Sequence, residues 1–219
     1  MRPSTAYRGF LAELLLGECD ERNRRRAARR IQAAGFPRDK SLRSFDFEAN
    51  PNIDPATIHT LAKCDWVKKG LPLCLIGDSG TGKSHLLIAL GTEAAMAGHR
   101  VRHTLATKLV NELVEAADEQ QLAKTITRYG RAAAIGGLGY MELDRKGAEL
   151  LFQVLTEREE KASVAIASNE PFGGWTKTFT GPRLCAAIVD RLTFGGHIIE
   201  TGTDSYRLAQ SRAKSETGN

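Results

Sequence analysis

The chain has 219 residues, enough for one sizeable hydrophobic core and a small appendage. Hydrophobic residues make up 42% of the chain and charged residues 26%, the balance of a soluble globular protein, and no apolar run is long enough to span a bilayer. The formal net charge of +5 suits a partner that carries phosphates, but it is also common on ordinary basic surfaces. The four cysteines lack metal-ligand spacing, so we expect reduced thiols and a cytoplasmic location. Because no apolar run could span a bilayer, we also expect no membrane partner.

The first 35 residues are predicted to form a basic helical segment. Apolar side chains recur at helical spacing from Tyr7 to Leu15. A solvated helix face accounts for the dense arginine block that follows. A polyanion such as DNA, however, would relieve the repulsion between these side chains, and we therefore favour DNA contact for this block. The arginines of this block are Arg22, Arg24, Arg25, Arg26, Arg29 and Arg30.

A turn-rich connector, residues 36–54, separates this segment from a main domain predicted at 55–210, which a polar tail follows at 211–219. Asp54 and Pro55 have the pattern of an N-cap followed by proline at the first helical position. Beyond residue 71, strand-like apolar runs alternate with amphipathic helices, which predicts a parallel sheet with helices on both faces. The predicted strands are 71–77, 100–105, 132–137, 163–169 and 197–200, and the predicted helices are 83–97, 107–129 with a break near Asp118, 145–160 and 182–194.

The first predicted strand is followed by GDSGTGKS, which fits the phosphate-loop pattern G-x-x-x-x-G-K-[ST]. Its glycines allow the backbone torsions that turn successive N–H groups inward and let phosphate approach closely. The helix that begins near Lys83 adds the positive end of its dipole. We predict that Lys83 reaches the β- and γ-phosphates of ATP and that Ser84 offers its hydroxyl to Mg²⁺. The predicted nucleotide-binding residues are Gly77, Asp78, Ser79, Gly80, Thr81, Gly82, Lys83 and Ser84.

With these segments in view, the sequence resembles the IstB-like ATP-binding proteins. These are the transposition helpers of certain insertion sequences, relatives of the DnaC helicase loaders within the AAA+ superfamily of P-loop NTPases. The resemblance covers nearly the whole chain, and it implies an AAA+ core, self-assembly on DNA and action with a partner transposase. The matching segments are FLAELLLGECDER, FPRDKSLRSFDF, GDSGTGKSHLLIALG, LGYMELDRKGAELLFQVLTEREEK, ASNEPFGGW and GPRLCAAIVDRLTFGGHIIETGTDSYR.

The resemblance assigns catalytic roles to two residues outside the phosphate loop. Asn169, at the end of the fourth strand, resembles the sensor that positions the attacking water, although a turn-capping role explains an asparagine there as well. Arg191 resembles the arginine that one subunit supplies to its neighbour's nucleotide. A surface ion pair with Asp190 or Glu200 is the plainer alternative for Arg191.

Two further features concern the start of the chain and the approach to the core. In the family, the FDF stretch formed by Phe45, Asp46 and Phe47 lies just before the core. Packing near adenine and ordinary core packing are both open for these residues.

Family members also have a helical segment before the piece that matches YRGFLAELLL, so this chain starts late relative to that pattern.

The end of the third strand departs from the family pattern. The pattern has two acids before Leu-Gly-Tyr, whereas this chain has Gly136 and Gly137. The first acid orients Mg²⁺ through its water shell and the second polarises the attacking water, and glycine can do neither. Glu142 and Asp144 are close in sequence but lie past the strand end, so we do not expect them to substitute.

Three functions follow from these observations. They are an ATPase that cycles as a transposition helper, a nucleotide- and DNA-binding protein without turnover, and a DnaC-type helicase loader. The segments LGYMELDRKGAELLFQV and DRLTFGGHIIETGTDSYR resemble the transposition helpers more than the helicase loaders. We therefore predict an ATP-binding helper that assembles as a homo-oligomer on DNA without sequence preference and assists the transposase of the same insertion sequence. Its hydrolysis is predicted to be crippled at Gly136 and Gly137.

Overall fold

The computed structural model describes residues 5–130, 132–137, 143–159, 161–179 and 181–206. Within these ranges, one or two α-helices separate successive strands from β1 onward, and short 3-10 turns lie at Leu42–Ser44 and Phe172–Lys177. The helices are α1 (Thr5–Ala34), α2 (Pro55–Ala62), α3 (Asp65–Lys68), α4 (Lys83–Met96), α5 (Ala106–Asp118), α6 (Leu122–Gly130), α7 (Arg145–Arg158) and α8 (Pro182–Thr193). The strands are β1 (Leu73–Ile76), β2 (Val101–His103), β3 (Ala133–Gly137), β4 (Val164–Ser168) and β5 (His197–Glu200).

The five strands form one parallel sheet in the order β2-β3-β4-β1-β5. All four residues of β1 are buried, which is typical of a strand covered by helices on both faces. β1 lies between β4 and β5, with Ile76 beside Ser168 on one side and Glu200 on the other. The predicted α/β class with a parallel sheet is confirmed.

Two hydrophobic clusters cover the two faces of the sheet. On one face, Leu86 and Leu90 of α4 pack with Leu73 and Leu75 of β1. On the other, helices α5, α7 and α8 bury their apolar sides against β1 and β4. The chain therefore forms the three-layer arrangement expected when helices cross over a parallel sheet.

Helix α1 is attached to this body by its C-terminal end. Ala34 is 1% exposed and shares a cluster with the buried residues Leu42 and Ile53 of the connector. Its N-terminal part is solvent-exposed, with Tyr7 77% and Phe10 62% exposed. The division into a segment at 1–35, a linker at 36–54 and a core from 55 stays a prediction, because α1 and the connector also pack into the body of the protein.

Most predicted elements begin or end within a few residues of the observed ones. The break predicted near Asp118 is confirmed, because α5 ends at that residue. Asp54 caps α2 as predicted, and its carboxylate accepts from the Thr57 N–H at 2.9 Å. Helix α3 was not predicted, since four residues give no detectable periodicity. Residues 138–140 and the predicted tail at 211–219 lie outside the described part.

In the described ranges we find no helix that combines the length and the apolar character needed to cross a membrane.

Candidate nucleotide-binding site

The phosphate loop lies at the carboxyl edge of the sheet, between β1 and α4. Gly80 and Gly82 have φ angles of +94° and +95°, which residues with side chains rarely adopt. These turns carry the chain from the end of β1 to Lys83, the first residue of α4. Ligands of open parallel sheets bind outside this edge, and α4 directs its positive end towards it. The loop thus has the preceding strand and following helix that its sequence pattern requires.

Four consecutive backbone N–H groups of this loop are available to an anion. Those of residues 79–82 donate to no other group in the part of the chain that the structure describes. The N–H of Asp78, in contrast, donates to the Gly202 carbonyl at 2.9 Å. Successive unpaired N–H groups around a glycine turn form an anion-binding concavity, and the N-terminus of α4 adds positive potential. The loop therefore fits a polyphosphate.

Lys83 and Ser84 are the side chains predicted to meet ATP and Mg²⁺. Lys83 is only 5% exposed, and its ammonium donates to the carbonyls of Gly77 and Asp78, each at 2.6 Å. Its positive charge is therefore held directly at the loop. Ser84 is exposed in the first turn of α4, and a hydroxyl oxygen is a ligand that Mg²⁺ accepts.

Other segments of the protein pack directly against the loop's glycines. A Cβ added at Gly80 would collide with the Ser205 hydroxyl, and one added at Gly82 would lie 2.8 Å from the ring of Phe45. Glycine is therefore favoured at both positions by the packing of the protein as well as by the backbone torsions. The phosphate-loop pattern does not reveal this second requirement.

A cavity of about 70 Å³ lies between the connector and the segment that follows β5. Phe45 and Asp46 line it on one side and Tyr206 on the other. His85 also lines the cavity, and burial lowers the pKa of its ring, which favours the uncharged form. Phe47 packs on Phe45, with ring centroids 4.8 Å apart, and does not line the cavity. Aromatic walls next to a phosphate loop make this the candidate site for a nucleobase.

Asn169 directly follows β4, beside the start of the phosphate loop. Ser168, the last residue of β4, pairs with Ile76, and its carbonyl accepts from the Gly77 N–H at 3.2 Å. The turn after β4 is capped by Ser168, whose hydroxyl accepts from the Glu170 N–H at 3.1 Å. The turn-capping role considered for Asn169 therefore belongs to Ser168, and Asn169 is half-buried next to the loop.

The end of β3, two strands from β1, carries no side chain that can handle Mg²⁺ or water. A Cβ added at Gly136 would collide with the carbonyl oxygen of Thr104, just after β2. At Gly137 the nearest atoms to an added Cβ are Leu105 Cδ2 at 3.9 Å and the Ala167 carbonyl oxygen at 4.0 Å. The sheet has therefore closed around the first glycine, whereas the second has room for a side chain.

The nearby acid that the structure describes does not fill this gap. The carboxylate of Asp144 caps α7 by accepting from the Gly147 N–H at 2.8 Å, and Glu142 lies outside the described residues. The described part of the chain contains no group of three histidines, cysteines or acids that could hold a metal ion. The site thus fits the phosphates of ATP, while its described residues offer Mg²⁺ the Ser84 hydroxyl and no carboxylate at β3.

The profile of the IstB-like ATP-binding proteins matches residues 2–214 of this sequence. The chain belongs to this family. The IS21 putative ATP-binding protein of Pseudomonas aeruginosa is 36% identical over 208 residues, which cover 94% of this chain and 78% of that protein.

Solved structures support the fold of this IstB-like chain. AMPPCP-bound DnaA from Aquifex aeolicus superposes with a TM-score of 0.64 at 18% identity, over 83% of this chain and 56% of that one. DnaI gives a TM-score of 0.61 at 20% identity, over 74% of this chain and 90% of that one. At these identities the likeness concerns the fold, which is that of a AAA+ P-loop domain.

Arg191 lies away from the phosphate loop of its own chain. It borders a cavity with Pro72, which precedes β1, and with Val164, which begins β4, so it is at the amino edge of the sheet. Its guanidinium pairs with Glu159 and lies 5.0 Å from the centroid of the Phe152 ring. Neither Asp190 nor Glu200, the two partners that the sequence suggested, pairs with Arg191. A role at a neighbour's nucleotide stays a prediction for this IstB-like protein.

The arginine block of α1 divides into three groups. Arg22 and Arg25 form exposed ion pairs one turn away, with Glu18 and Glu21, at 2.7 and 2.9 Å. Arg30 is half-buried and donates to the Ala95 carbonyl at 2.7 Å, at the C-terminal end of α4. It therefore joins α1 to α4. The remaining three are exposed and pair with no other described residue, namely Arg24, Arg26 and Arg29.

The structure also brings to the loop two polar residues that the sequence did not single out. Asn50 of the connector is 8% exposed and Thr201, just after β5, is 0% exposed. Both contact Thr81, in the middle of the phosphate loop. The only sequence signal for Asn50 is an asparagine in the turn-rich stretch ANPN, which looks like any other loop.

Proposed function

We propose that this chain is an ATP-binding transposition helper that acts on DNA and hydrolyses ATP at no more than a background rate. The contrast between two strand ends at one edge of the sheet carries the proposal. After β1 the chain presents four N–H groups that donate to no other described group, and the ammonium of Lys83. At the end of β3 it presents glycine, with Gly136 closed against Thr104.

Each part of the nucleotide site has a separate role. The N–H groups of residues 79–82 bind phosphate oxygens, and Lys83 neutralises part of their charge. Ser84 holds the Mg²⁺ that accompanies ATP, and this metal neutralises charge that develops during phosphoryl transfer. Asn169 lies where it can orient a water molecule. Without a carboxylate at β3, the general base that the family pattern has at that position is missing.

DNA binding is proposed for the exposed, unpaired arginines of α1. Arg24, Arg26 and Arg29 are themselves exposed and pair with no other described residue, so phosphate groups can reach them. Such contacts give affinity without sequence preference. We further propose that copies of this chain assemble on DNA, with Arg191 facing the nucleotide of a neighbour.

Relatives favour transposition over helicase loading. The Pseudomonas aeruginosa relative is named for an insertion sequence, whereas the DnaA and DnaI structures are similar at 20% identity or less. We therefore propose the transposase of the same insertion sequence as the protein partner.

Steady-state turnover with duplex DNA and Mg²⁺ tests this proposal. We expect ATP to bind, as measured by equilibrium titration, and phosphate release to remain near that of a protein-free control. Lys83→Ala should weaken this binding by about 10²-fold. DNA-stimulated turnover that disappears in Lys83→Ala would show instead that the chain is a working ATPase.

A further inference from the structure

Asn50 makes a complete set of side-chain hydrogen bonds between three distant segments. Its amide nitrogen donates to the Thr81 carbonyl at 3.0 Å and to the Thr201 carbonyl at 2.9 Å. Its side-chain oxygen accepts from the N–H of Asn52 at 3.1 Å. Because carbonyls can only accept, the nitrogen must face them, which fixes the orientation of the side-chain amide. Asn50 therefore ties the connector to the phosphate loop and to the end of β5.

The bond to Thr81 has a consequence for the next residue. A peptide unit is planar and trans, so its C=O and N–H point in opposite directions. When Asn50 holds the Thr81 carbonyl on the connector side, the N–H of Gly82 must point to the other side of the loop. This N–H donates to no group in the described part of the chain. It is one of the four that form the anion-binding concavity.

Three other carbonyls of the loop are held in the same way. The ammonium of Lys83 donates to the carbonyls of Gly77 and Asp78. The Gly80 carbonyl accepts from the Tyr206 N–H at 3.2 Å. Each held carbonyl fixes the direction of the N–H that follows it. Among these anchors, Asn50 is the one that comes from the connector before the core.

We propose that Asn50 is a positioning residue for the phosphates of the nucleotide, because it aims the N–H of Gly82 into the concavity of the loop. It need not touch the nucleotide to do so. Preorganised N–H groups bind an anion more tightly than groups that must first be oriented, since the cost of orienting them is met in folding. The inference rests on the proposed nucleotide site and adds a residue to it.

The buried surroundings of Asn50 make the effect local. Thr81 is 2% exposed, and its hydroxyl lies 2.6 Å from the hydroxyl of Thr201. The Thr201 hydroxyl and the Asn50 amide therefore reach Thr81 at two different groups. Thr201→Val removes the contact between hydroxyls and leaves the Thr81 carbonyl bonded to Asn50. Thr201→Val is therefore a matched control. It removes a buried polar group next to the loop, but it leaves the Thr81 carbonyl held by Asn50.

The test compares Asn50→Ala with wild type in binding ATP, ADP, tripolyphosphate and adenosine. Loss of one oriented donor should weaken the binding of ATP, ADP and tripolyphosphate by about five- to tenfold each. Adenosine affinity should stay the same, because adenosine has no phosphate. Asn50→Ser keeps one donor at this position, so its affinity for the three phosphate ligands should lie between those of wild type and Asn50→Ala. Thermal unfolding of every variant shows that the protein compared is folded.

Three outcomes would overturn the inference. Unchanged phosphate affinities in folded Asn50→Ala would mean that the Gly82 N–H keeps its direction without Asn50. An equal loss for adenosine would make Asn50 a wall of the base cavity, which it also lines. An equal loss of phosphate affinity in Thr201→Val would reduce Asn50 to general support of the loop. If wild type binds neither ATP nor tripolyphosphate, the proposed function fails together with the inference.

Discussion

The phosphate loop and the end of β3 lie at the same edge of one sheet, separated by β4. They differ in the chemical groups that they offer to a nucleotide. Around the loop, the side chains of Asn50 and Lys83 and the backbone N–H of Tyr206 hold carbonyls, so that the N–H groups of residues 79–82 face an anion. At β3, two glycines stand where the family pattern has acids, and the Thr104 carbonyl closes the first position. Binding phosphate and hydrolysing it depend on different residues here, so one capacity can be lost while the other is kept.

The largest expected effect comes from adding an acid where the structure has room. Gly137→Glu should raise ATP turnover by about 10²-fold, because a single positioned general base contributes that much or more. Phosphate release under saturating ATP measures it. Gly137→Gln has the same shape without the charge and should remain inactive. A Gly137→Glu protein that binds ATP but stays inert would show that a defect other than the missing base limits hydrolysis.

Removing the charge at the loop should have the next largest effect. Lys83→Ala should weaken ATP binding by about 10²-fold, since it removes a buried ammonium together with its hydrogen bonds to the Gly77 and Asp78 carbonyls. Isothermal titration measures the dissociation constant. Lys68→Ala, which removes an exposed lysine paired with Asp65, is the control and should bind as wild type does. Comparable losses of ATP affinity in Lys83→Ala and Lys68→Ala would show that Lys83 has no specific role in binding.

Single methyl groups test the difference between the two glycines of β3. Gly136→Ala should lower the free energy of unfolding by about 1–3 kcal/mol, because overpacking against a backbone carbonyl forces the strands apart. Gly137→Ala should change it little, since its nearest neighbours are at ordinary contact distance. Urea denaturation measures both. Equal stabilities would mean that β2 and β3 separate freely and that an acid at position 136 can also be accommodated.

The smallest expected effect concerns DNA. Changing Arg24, Arg26 and Arg29 together to alanine should reduce the slope of log affinity against log salt by about 0.9 for each DNA phosphate that these side chains neutralise. Fluorescence anisotropy across a salt series measures the slope. Arg30→Ala should lower stability instead, because this side chain joins α1 to α4. Identical slopes for wild type and the triple variant would place the DNA surface elsewhere.

Local patterns in the sequence were sufficient to predict the elements and the loop. The run before residue 77, the phosphate-loop pattern and the helix after it identify β1, the loop and α4 because each depends on neighbours in sequence. The N-cap at Asp54 and the break near Asp118 were predictable for the same reason. The alternation of strands and helices also predicted the parallel sheet.

Contacts between distant segments were not predictable. Asn50 reaches Thr81 across 31 residues and Thr201 across 151, and neither spacing leaves a pattern in the sequence. The same holds for Arg30, whose role as a link to α4 cannot be told from the arginines around it. The closure of Gly136 by Thr104 likewise depends on how two strands pack.

A single-turnover experiment tests the central claim most directly. The protein is mixed in excess with radiolabelled ATP, Mg²⁺ and duplex DNA, and the bound nucleotide is identified over several hours. Because the phosphate site is complete and the end of β3 lacks an acid, we expect the bound nucleotide to remain ATP. Conversion of the bound ATP to ADP within minutes by wild-type protein, but not by Lys83→Ala, would contradict the account.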